Sequence, residues 1–253
     1  MRFIARLAVA VVVVYASACL CLYLFQRSLL YFPQPRSVGS PAQTFHLPVS
    51  GAQLIVSTKA HAGRKALVYF GGNAEDVSAS LASFSEAFPD YAIYLMHYRG
   101  YGGSSGAPSE AALNADALAL FDRIQSEHAE IAAIGRSLGS GIALRLASQR
   151  PVKHLVLITP YDSILAIAEQ QFPYFPVHWL LRDRYESWRY ASRISVPTLV
   201  LQAAHDEVIP ARNTDRLVKA FHDKVVRRIV LPHVGHNDIA RSPDYLALIR
   251  EAL

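Results

Sequence analysis

The sequence predicts an α/β fold: a doubly wound, mostly parallel sheet with a small helical cap and an N-terminal transmembrane helix. Three observations predict it. An uncharged apolar segment lies near the N-terminus, short apolar runs then alternate with longer amphipathic ones, and a long aromatic-rich insertion interrupts that alternation. The length of 253 residues suits one main domain, since single α/β domains often reach about 200–250 residues.

The composition excludes several classes of protein. A chain with 52% hydrophobic and 18% charged residues is not disordered, a coiled coil or collagen-like. Its two cysteines, Cys19 and Cys21, exclude a disulfide scaffold and a Cys-rich metal site. Residues 1–26 hold two of the 25 basic residues and no acidic one, which leaves 23 basic against 20 acidic residues, a net charge of +3. This excess is spread along the chain, so we expect no nucleic-acid partner.

The apolar segment is the first element. Residues 7–25 are nineteen positions without a charge, close to the roughly 20 residues that a membrane-spanning helix needs. We therefore expect residues 1–26 to form a signal-anchor helix that stays in the membrane. The main domain is then expected over residues 27–253.

Other interpretations of this segment stay open. The small residues 16–18 fit the cleavage site of a secretory signal, Cys19 is a candidate for lipid attachment, and a buried core helix is the plainest alternative. Arg2 and Arg6 precede the segment and favour an N-terminus inside. We expect a single-pass membrane protein with an extracytoplasmic main domain.

Strands and helices alternate through the rest of the chain. Residues 32–51, rich in Pro, Gly and Ser, indicate an extended approach to the domain. The short runs after them are nearly uninterrupted and often β-branched or aromatic, as in strands buried on both faces of a parallel sheet. The predicted strands are 54–58, 66–70, 91–96, 131–134, 154–159, 198–202 and 228–231. The predicted helices are 77–88, 109–127, 138–149, 211–221 and 243–253. Chemistry in such a sheet lies at the carboxyl ends of the strands.

The loop after the predicted strand 131–134 holds a candidate nucleophile. Gly135, Ser137 and Gly139 form a G-x-S-x-G pattern between a strand and a helix. A sharp turn there exposes the serine hydroxyl and leaves little room for side chains at the two flanking positions. A plain glycine-rich turn is the alternative.

A serine nucleophile needs a base, and the base needs an orienting acid. Two later strand-end loops supply them in the order acid, then base: Asp206 after strand 198–202 and His236 after strand 228–231. Glu207 is the alternative acid and His233 the alternative base.

A metal site is the remaining alternative for the histidine loop. His233, His236 and Asp238 have a suitable H-x-x-H spacing, but no helix is predicted there to present both histidines together. We therefore expect no metal and no cofactor.

An oxyanion hole needs two N–H donors. The residue after the serine, Leu138, supplies one at the start of its helix. The glycine-rich loop after strand 66–70 supplies the other, from Asn73 or alternatively from Gly72. Capping of the following helix is a second role open to Asn73.

These motifs resemble the α/β-hydrolase superfamily, and more narrowly its membrane-anchored single-domain branch, which includes protein depalmitoylases. The resemblance implies hydrolysis of an ester or thioester through Ser137, Asp206 and His236. The segments that carry it are 25–33, 72–74, 98–102, 108–110, 135–139, 206–210 and 235–238.

Three positions depart from this branch. Gly71 stands where a histidine often precedes Gly-Asn, His97 replaces an acidic residue, and Gln202 with Ala203 replaces His-Gly ahead of the acid. No departure removes a member of the Ser-Asp-His set, so they bear on substrate choice.

The insertion over about 160–195 is expected to form the cap. Its aromatic residues predict either an apolar acyl-binding wall or plain packing onto the sheet. Arg182, Asp183 and Arg184 are expected to form ion pairs within the cap. The aromatic residues are Tyr161, Phe172, Tyr174, Phe175, Trp179, Tyr185, Trp188 and Tyr190.

The function expected from these features is a membrane-anchored serine hydrolase working through an acyl-enzyme. Its substrate is expected to be an acyl ester or thioester, either a small lipid-like molecule or an acylated protein. A serine peptidase of the prolyl-oligopeptidase type is the second interpretation, although the chain lacks room for that family's propeller domain. A non-enzymatic anchored scaffold is the third, and it predicts a broken catalytic set.

Overall fold

The computed structural model describes residues 1–37, 43–222 and 225–253. Its first element is α1, one continuous helix over Arg2–Leu30 with no buried residue. The length and apolar character of α1 suit a membrane span. The helix continues four residues beyond position 26, the end of the anchor that composition predicts.

Within the described residues, eight strands form one sheet in the order β1-β2-β4-β3-β5-β6-β7-β8. β1 and β2 are antiparallel to their neighbours, and the six strands from β4 to β8 are parallel. This confirms the predicted doubly wound, mostly parallel sheet. The strands are β1 Thr44–Val49, β2 Ala52–Lys59, β3 Lys65–Phe70, β4 Ala92–Met96, β5 Glu130–Arg136, β6 His154–Ile158, β7 Thr198–His205 and β8 Val226–Gly235.

One strand was not predicted. β1 lies in the stretch expected to be an extended approach, of which residues 38–42 lie outside the described residues. It pairs only with β2, at the edge of the sheet, and it contains Pro48. A proline is tolerated at an edge because no second neighbour needs its missing N–H. The same proline, a residue that is rare inside strands, is the reason that the sequence does not predict β1.

The helices cover both faces of the sheet. α3, α4 and α8 pack in one hydrophobic core, and α2 and α9 pack in the other. The predicted helix 77–88 is divided into a 3-10 turn at Val77–Ser80 and α2. The helices are α2 Leu81–Ala87, α3 Glu110–Ile124, α4 Leu138–Ala147, α8 Ala211–Lys219 and α9 Tyr245–Ala252.

Three short helices between β6 and β7 form the cap. They are α5 Ile164–Gln171, α6 Val177–Leu180 and α7 Trp188–Ala191. α5 begins where the hydroxyl of Ser163 accepts a hydrogen bond from the N–H of Ala166 at 2.8 Å.

The cap is bound to α1 by a buried carboxylate. Asp183 pairs with Arg27 of α1 at 2.9 Å and accepts a hydrogen bond from the Tyr31 hydroxyl at 3.1 Å. The expectation of ion pairs within the cap is therefore wrong for Asp183. Its partner Arg27 is 156 residues away in sequence, in the N-terminal helix.

Candidate active site

Ser137 lies in a strained turn between β5 and α4. Its φ of +49° is in the left-handed region, which non-glycine residues rarely occupy. A Cβ atom on Gly135 would lie 2.2 Å from the main-chain oxygen of Gly139, and one on Gly139 would lie 2.0 Å from that of Phe70. Both approaches are to main chain, so glycine is required at these two positions. The turn presents the Ser137 hydroxyl at the carboxyl edge of the sheet.

The structure brings Ser137, Asp206 and His236 together. Nε2 of His236 lies 2.8 Å from Oγ of Ser137, and Nδ1 lies 2.9 Å from Oδ2 of Asp206. The imidazole is buried and lies between the other two side chains. Each group is in a loop that follows a parallel strand, β5, β7 or β8, which is why they meet at one edge.

Asp206 is held by the loop that follows it. Its Oδ1 accepts hydrogen bonds from the N–H groups of Val208 and Ile209 at 3.0 and 2.7 Å. These bonds hold the carboxylate with both oxygens near Nδ1 of His236, Oδ1 at 3.0 Å and Oδ2 at 2.9 Å.

The alternatives to this acid and base lie elsewhere. The carboxylate of Glu207 accepts from the main-chain N–H of His236 at 3.2 Å, so Glu207 supports the loop and does not contact the ring. His233 is exposed. Two groups of the metal alternative are engaged with the protein instead. Both ring nitrogens of His236 are within hydrogen-bond distance of Ser137 and Asp206, and the carboxylate of Asp238 accepts from the N–H of Gly235.

The candidate donors of the oxyanion hole differ in whether their main-chain N–H groups are already hydrogen-bonded. Leu138 is the first residue of α4, where a main-chain N–H has no partner within the helix. The N–H of Gly72 donates to the Glu75 carboxylate at 2.7 Å, so it is occupied. Asn73 uses its side chain and not its main chain in the contacts that hold its loop. Its main-chain N–H therefore remains the better candidate for the second donor.

The side chain of Asn73 ties its loop to the end of α1. Its amide nitrogen donates to the main-chain oxygen of Leu30, and its oxygen accepts from the Phe32 N–H at 3.1 Å and from the Tyr101 hydroxyl at 2.8 Å. The capping role considered for Asn73 is wrong. The following 3-10 turn is capped by Asp76, which accepts from the N–H of Ser78.

A partly buried ion pair beneath these loops was not predicted from the sequence; its side chains are 16% and 12% exposed. Arg136 pairs with Glu75 at 3.0 Å and also donates to the main-chain oxygen of His236 at 3.2 Å. Tyr69 donates from its hydroxyl to the other oxygen of Glu75 at 2.7 Å. Burial lowers the pKa of Arg136, but Glu75 outweighs it, so that pKa is raised and the guanidinium stays charged. The network joins the glycine-rich loop after β3, the turn at Ser137 and the loop that carries His236.

Two of the departures from the resembling branch occupy buried positions. The main-chain oxygen of Gly71 accepts from the Tyr98 hydroxyl at 2.7 Å and from the N–H of Gly139 at 3.2 Å. His97 is buried against Ser57, with 2.9 Å between Nε2 and Oγ. Burial lowers the pKa of His97 to about 4, so the ring is neutral near pH 7.

The third departure, Gln202, accepts a hydrogen bond from Arg228 at 2.9 Å. This contact lies between β7 and β8, below the loop that carries Asp206.

An apolar cavity of about 440 Å³ opens at Ser137. It lies between the cap and the last turns of α1, and its walls are mainly aliphatic and aromatic side chains. A cavity of this size and character suits an extended hydrocarbon group. Among the lining residues are Leu22, Gln26, Leu29 and Leu30 of α1, Ile164, Phe172, Phe175 and Leu180 of the cap, and Leu138, Val208 and Ile209 near the catalytic loops.

Comparison with known proteins gives the same fold. A family model described as the alpha/beta hydrolase fold matches residues 65–187. The solved structure of the Pyrococcus furiosus esterase Pf2001 superposes with a TM-score of 0.69 at 15% identity, over 88% of this chain and 97% of the esterase. At that identity the likeness concerns the fold alone.

Similar proteins align with most of this chain. Rv2307c of Mycobacterium tuberculosis is 34% identical over 250 residues, which are 91% of this chain and 87% of that protein. The lysophosphatidylserine lipase ABHD12 of Macaca fascicularis is 29% identical over 192 residues, which are 64% of this chain and 48% of the lipase. With the sheet order, the strained serine turn and the family match taken together, this chain belongs to the α/β-hydrolase family.

Proposed function

We propose that this protein is a membrane-anchored serine hydrolase that cleaves the ester or thioester bond of an acyl or lipid-like substrate. One observation carries the proposal. The hydroxyl of Ser137 is hydrogen-bonded to His236, which Asp206 orients, and it faces an apolar cavity large enough for an acyl chain.

The chemistry follows from this arrangement. His236 takes the proton of the Ser137 hydroxyl as the oxygen attacks the carbonyl carbon, and Asp206 stabilises the imidazolium that forms. The N–H groups of Leu138 and Asn73 hold the negatively charged oxygen. His236 then gives its proton to the departing alcohol or thiol. Water attacks the acyl-enzyme with His236 as base, and the carboxylic acid leaves.

The chemistry of the cavity supports an acyl substrate. Its lining is mainly apolar, which favours a hydrocarbon group over the polar main chain of a peptide. The lipase activity in the name of the similar protein ABHD12 agrees with this choice. Thioesters and oxygen esters present the same carbonyl carbon to the serine, so both belong to the proposal, as does an acylated protein.

Membrane anchorage is part of the proposal. α1 is long and apolar enough to cross a bilayer, and Arg2 and Arg6 at its start favour an N-terminus on the cytoplasmic side. The catalytic domain then faces the other side. A reporter enzyme that is active only outside the cytoplasm, fused after Leu253, is expected to be active, and a silent fusion reverses the orientation.

A fluorophosphonate probe tests the nucleophile directly, because it reacts only with an activated serine. We expect labelling of the wild type and its loss in Ser137→Ala and His236→Ala. Ser148→Ala is the matched control, since Ser148 ends the same helix and its hydroxyl bonds only the main-chain oxygen of Arg145. Labelling that persists in Ser137→Ala overturns the nucleophile assignment, and a wild type that never labels favours the scaffold.

A further inference from the structure

The cap lies alongside the second half of α1. At one end of the contact, the main-chain N–H of Arg182 donates to the side-chain oxygen of Gln26 at 2.7 Å. At the other end, the hydroxyl of Tyr15 donates to the main-chain oxygen of Tyr174 at 2.8 Å, and its ring stacks on Phe175 with centroids 5.8 Å apart. At 1.5 Å per residue, these two ends are roughly 16 Å apart along the helix axis.

This contact falls within the apolar stretch of α1. Tyr15 is near the middle of the uncharged residues 7–25, and Gln26 comes directly after them. The hydrocarbon core of a bilayer is about 30 Å thick, which is close to the length of that stretch as a helix. The part of the cap beside Tyr15 therefore lies at a level of α1 that lipid surrounds.

The exposed side chains of the cap change from aromatic to basic along the axis of α1. Phe172, Tyr174 and Trp179, which we call the cap edge, are 44%, 86% and 82% exposed. Arg182 lies at the other end of the segment, where its guanidinium is 5.0 Å from the ring of Tyr23. Tyr174 lies at the level of Tyr15, whereas Trp179 directly precedes Leu180, whose main-chain oxygen accepts from the side-chain nitrogen of Gln26 at 3.0 Å. Exposed aromatic residues followed by a basic one match the order in which a protein surface passes from the interior of a leaflet to its headgroups.

We propose that the cap edge is immersed in the same leaflet as the second half of α1, and that the cavity at Ser137 fills directly from that leaflet. The cavity reaches Leu22, which is inside the apolar stretch. An acyl chain therefore passes from lipid to the serine between apolar walls, without crossing water. This inference rests on the membrane anchorage in the proposed function.

The two tryptophans of the chain provide the test. Trp179 is in the cap edge, whereas Trp188 begins α7, with Asp162 and Arg216 beside it in a polar cleft. The full-length chain is made as two single-tryptophan variants, Trp188→Phe and Trp179→Phe. Each is reconstituted into phosphatidylcholine vesicles whose acyl chains carry bromine, and its fluorescence is compared with that in unbrominated vesicles.

We expect brominated lipid to quench Trp179 at least twofold and to leave Trp188 nearly unchanged. Flotation of the vesicles, measured on the same samples, reports anchorage separately. A chain that floats with the vesicles while Trp179 is unquenched overturns this inference and leaves the proposed function intact. A chain that does not float overturns the anchorage and the inference together.

Activity gives a second, independent readout. Trp179→Glu is expected to lower hydrolysis of a long-chain monoacylglycerol in vesicles about tenfold, and to leave hydrolysis of soluble p-nitrophenyl acetate unchanged. The matched variant Trp188→Glu is expected to change neither rate. An equal loss on both substrates in Trp179→Glu indicates a structural defect and contradicts filling from the leaflet, as does no loss on either.

Discussion

The side-chain amide of Asn73 donates a hydrogen bond to the main-chain oxygen of Leu30 over 2.5 Å. This bond joins the glycine-rich loop beside Ser137 to the last residue of the N-terminal helix. The same side chain accepts from the N–H of Phe32, so Leu30 at the end of α1 and Phe32 two residues later are both held by one residue beside Ser137. Asn73 therefore belongs to the structure of both the N-terminal helix and the candidate active site.

We expect Asn73→Ala to lower kcat roughly 10- to 100-fold on a soluble ester, because the oxyanion loop loses its hold on α1. KM is expected to change little, since Asn73 is one of many residues that line the cavity. Asn73→Asp keeps the acceptor for Phe32 and Tyr101 and is expected to lose less. Steady-state kinetics with parallel thermal unfolding check this, and an unchanged kcat in Asn73→Ala contradicts it.

Glu75→Gln is expected to destabilise the fold by about 2 kcal/mol, somewhat less than for a fully buried pair, because it leaves the mostly buried guanidinium of Arg136 without a charged partner. Denaturant unfolding measures this. Glu251→Gln is the control, since Glu251 pairs with Arg227 at an exposed site and is expected to leave the free energy of unfolding nearly unchanged. If the two variants have equal stability, the buried pair does not support the site.

Gly139→Ala is expected to reduce both stability and activity sharply, because its Cβ would lie 2.0 Å from the main-chain oxygen of Phe70. The main chain there belongs to β3 and has no room to move. Gly63→Ala is the comparison, since the close contacts of its Cβ would be with the ring of His61, a side chain that can turn away at the cost of one hydrogen bond from the Gly63 N–H. Thermal unfolding and probe labelling measure the difference, and a Gly139→Ala protein that melts and labels like the wild type refutes it.

His97 is expected to make the fold less stable in mild acid. Its pKa is about 4 in the folded chain, whereas a histidine in an unfolded chain titrates near 6.5. Between these values the unfolded chain binds more protons, so the free energy of unfolding falls as the pH falls from about 6.5 to 4, by about 3 kcal/mol in all.

His97→Gln is expected to remove most of this slope, because glutamine keeps a polar group near Ser57 without taking up a proton. Denaturant unfolding at pH 7, 5.5 and 4.5 measures it. The exposed His46→Gln is the control and is expected to keep the wild-type slope. A slope that persists in His97→Gln assigns the acid sensitivity to other groups.

Much of the arrangement of Ser137, Asp206 and His236 could be predicted because the sequence features that produce it are local. The nucleophile turn needs glycine on both sides of Ser137 within five residues, and this spacing is visible in the sequence. Asp206 and His236 each follow a predicted parallel strand, and the carboxyl ends of such strands converge whatever the loops contain. Strand order along the chain was therefore enough to bring three distant residues together.

The contacts that support this edge could not be predicted in the same way. Glu75 and Arg136 are 61 residues apart, and Arg27 and Asp183 are 156 residues apart. The sequence alone does not show which charged residues will form an ion pair. One signal was available for the first pair: both residues come at or just after the ends of β3 and β5, which are neighbours in the sheet.

The apolar wall that α1 contributes has a practical consequence for anyone who purifies this protein. A fragment that begins at residue 27 lacks Leu22 and Gln26, and so has a cavity open on one side. On the proposed membrane anchorage, the full chain is expected to need a detergent, and a detergent tail has the same chemistry as the acyl chain that the cavity suits. We therefore expect the detergent to compete with the substrate, and rates measured in lipid nanodiscs to exceed those measured in detergent.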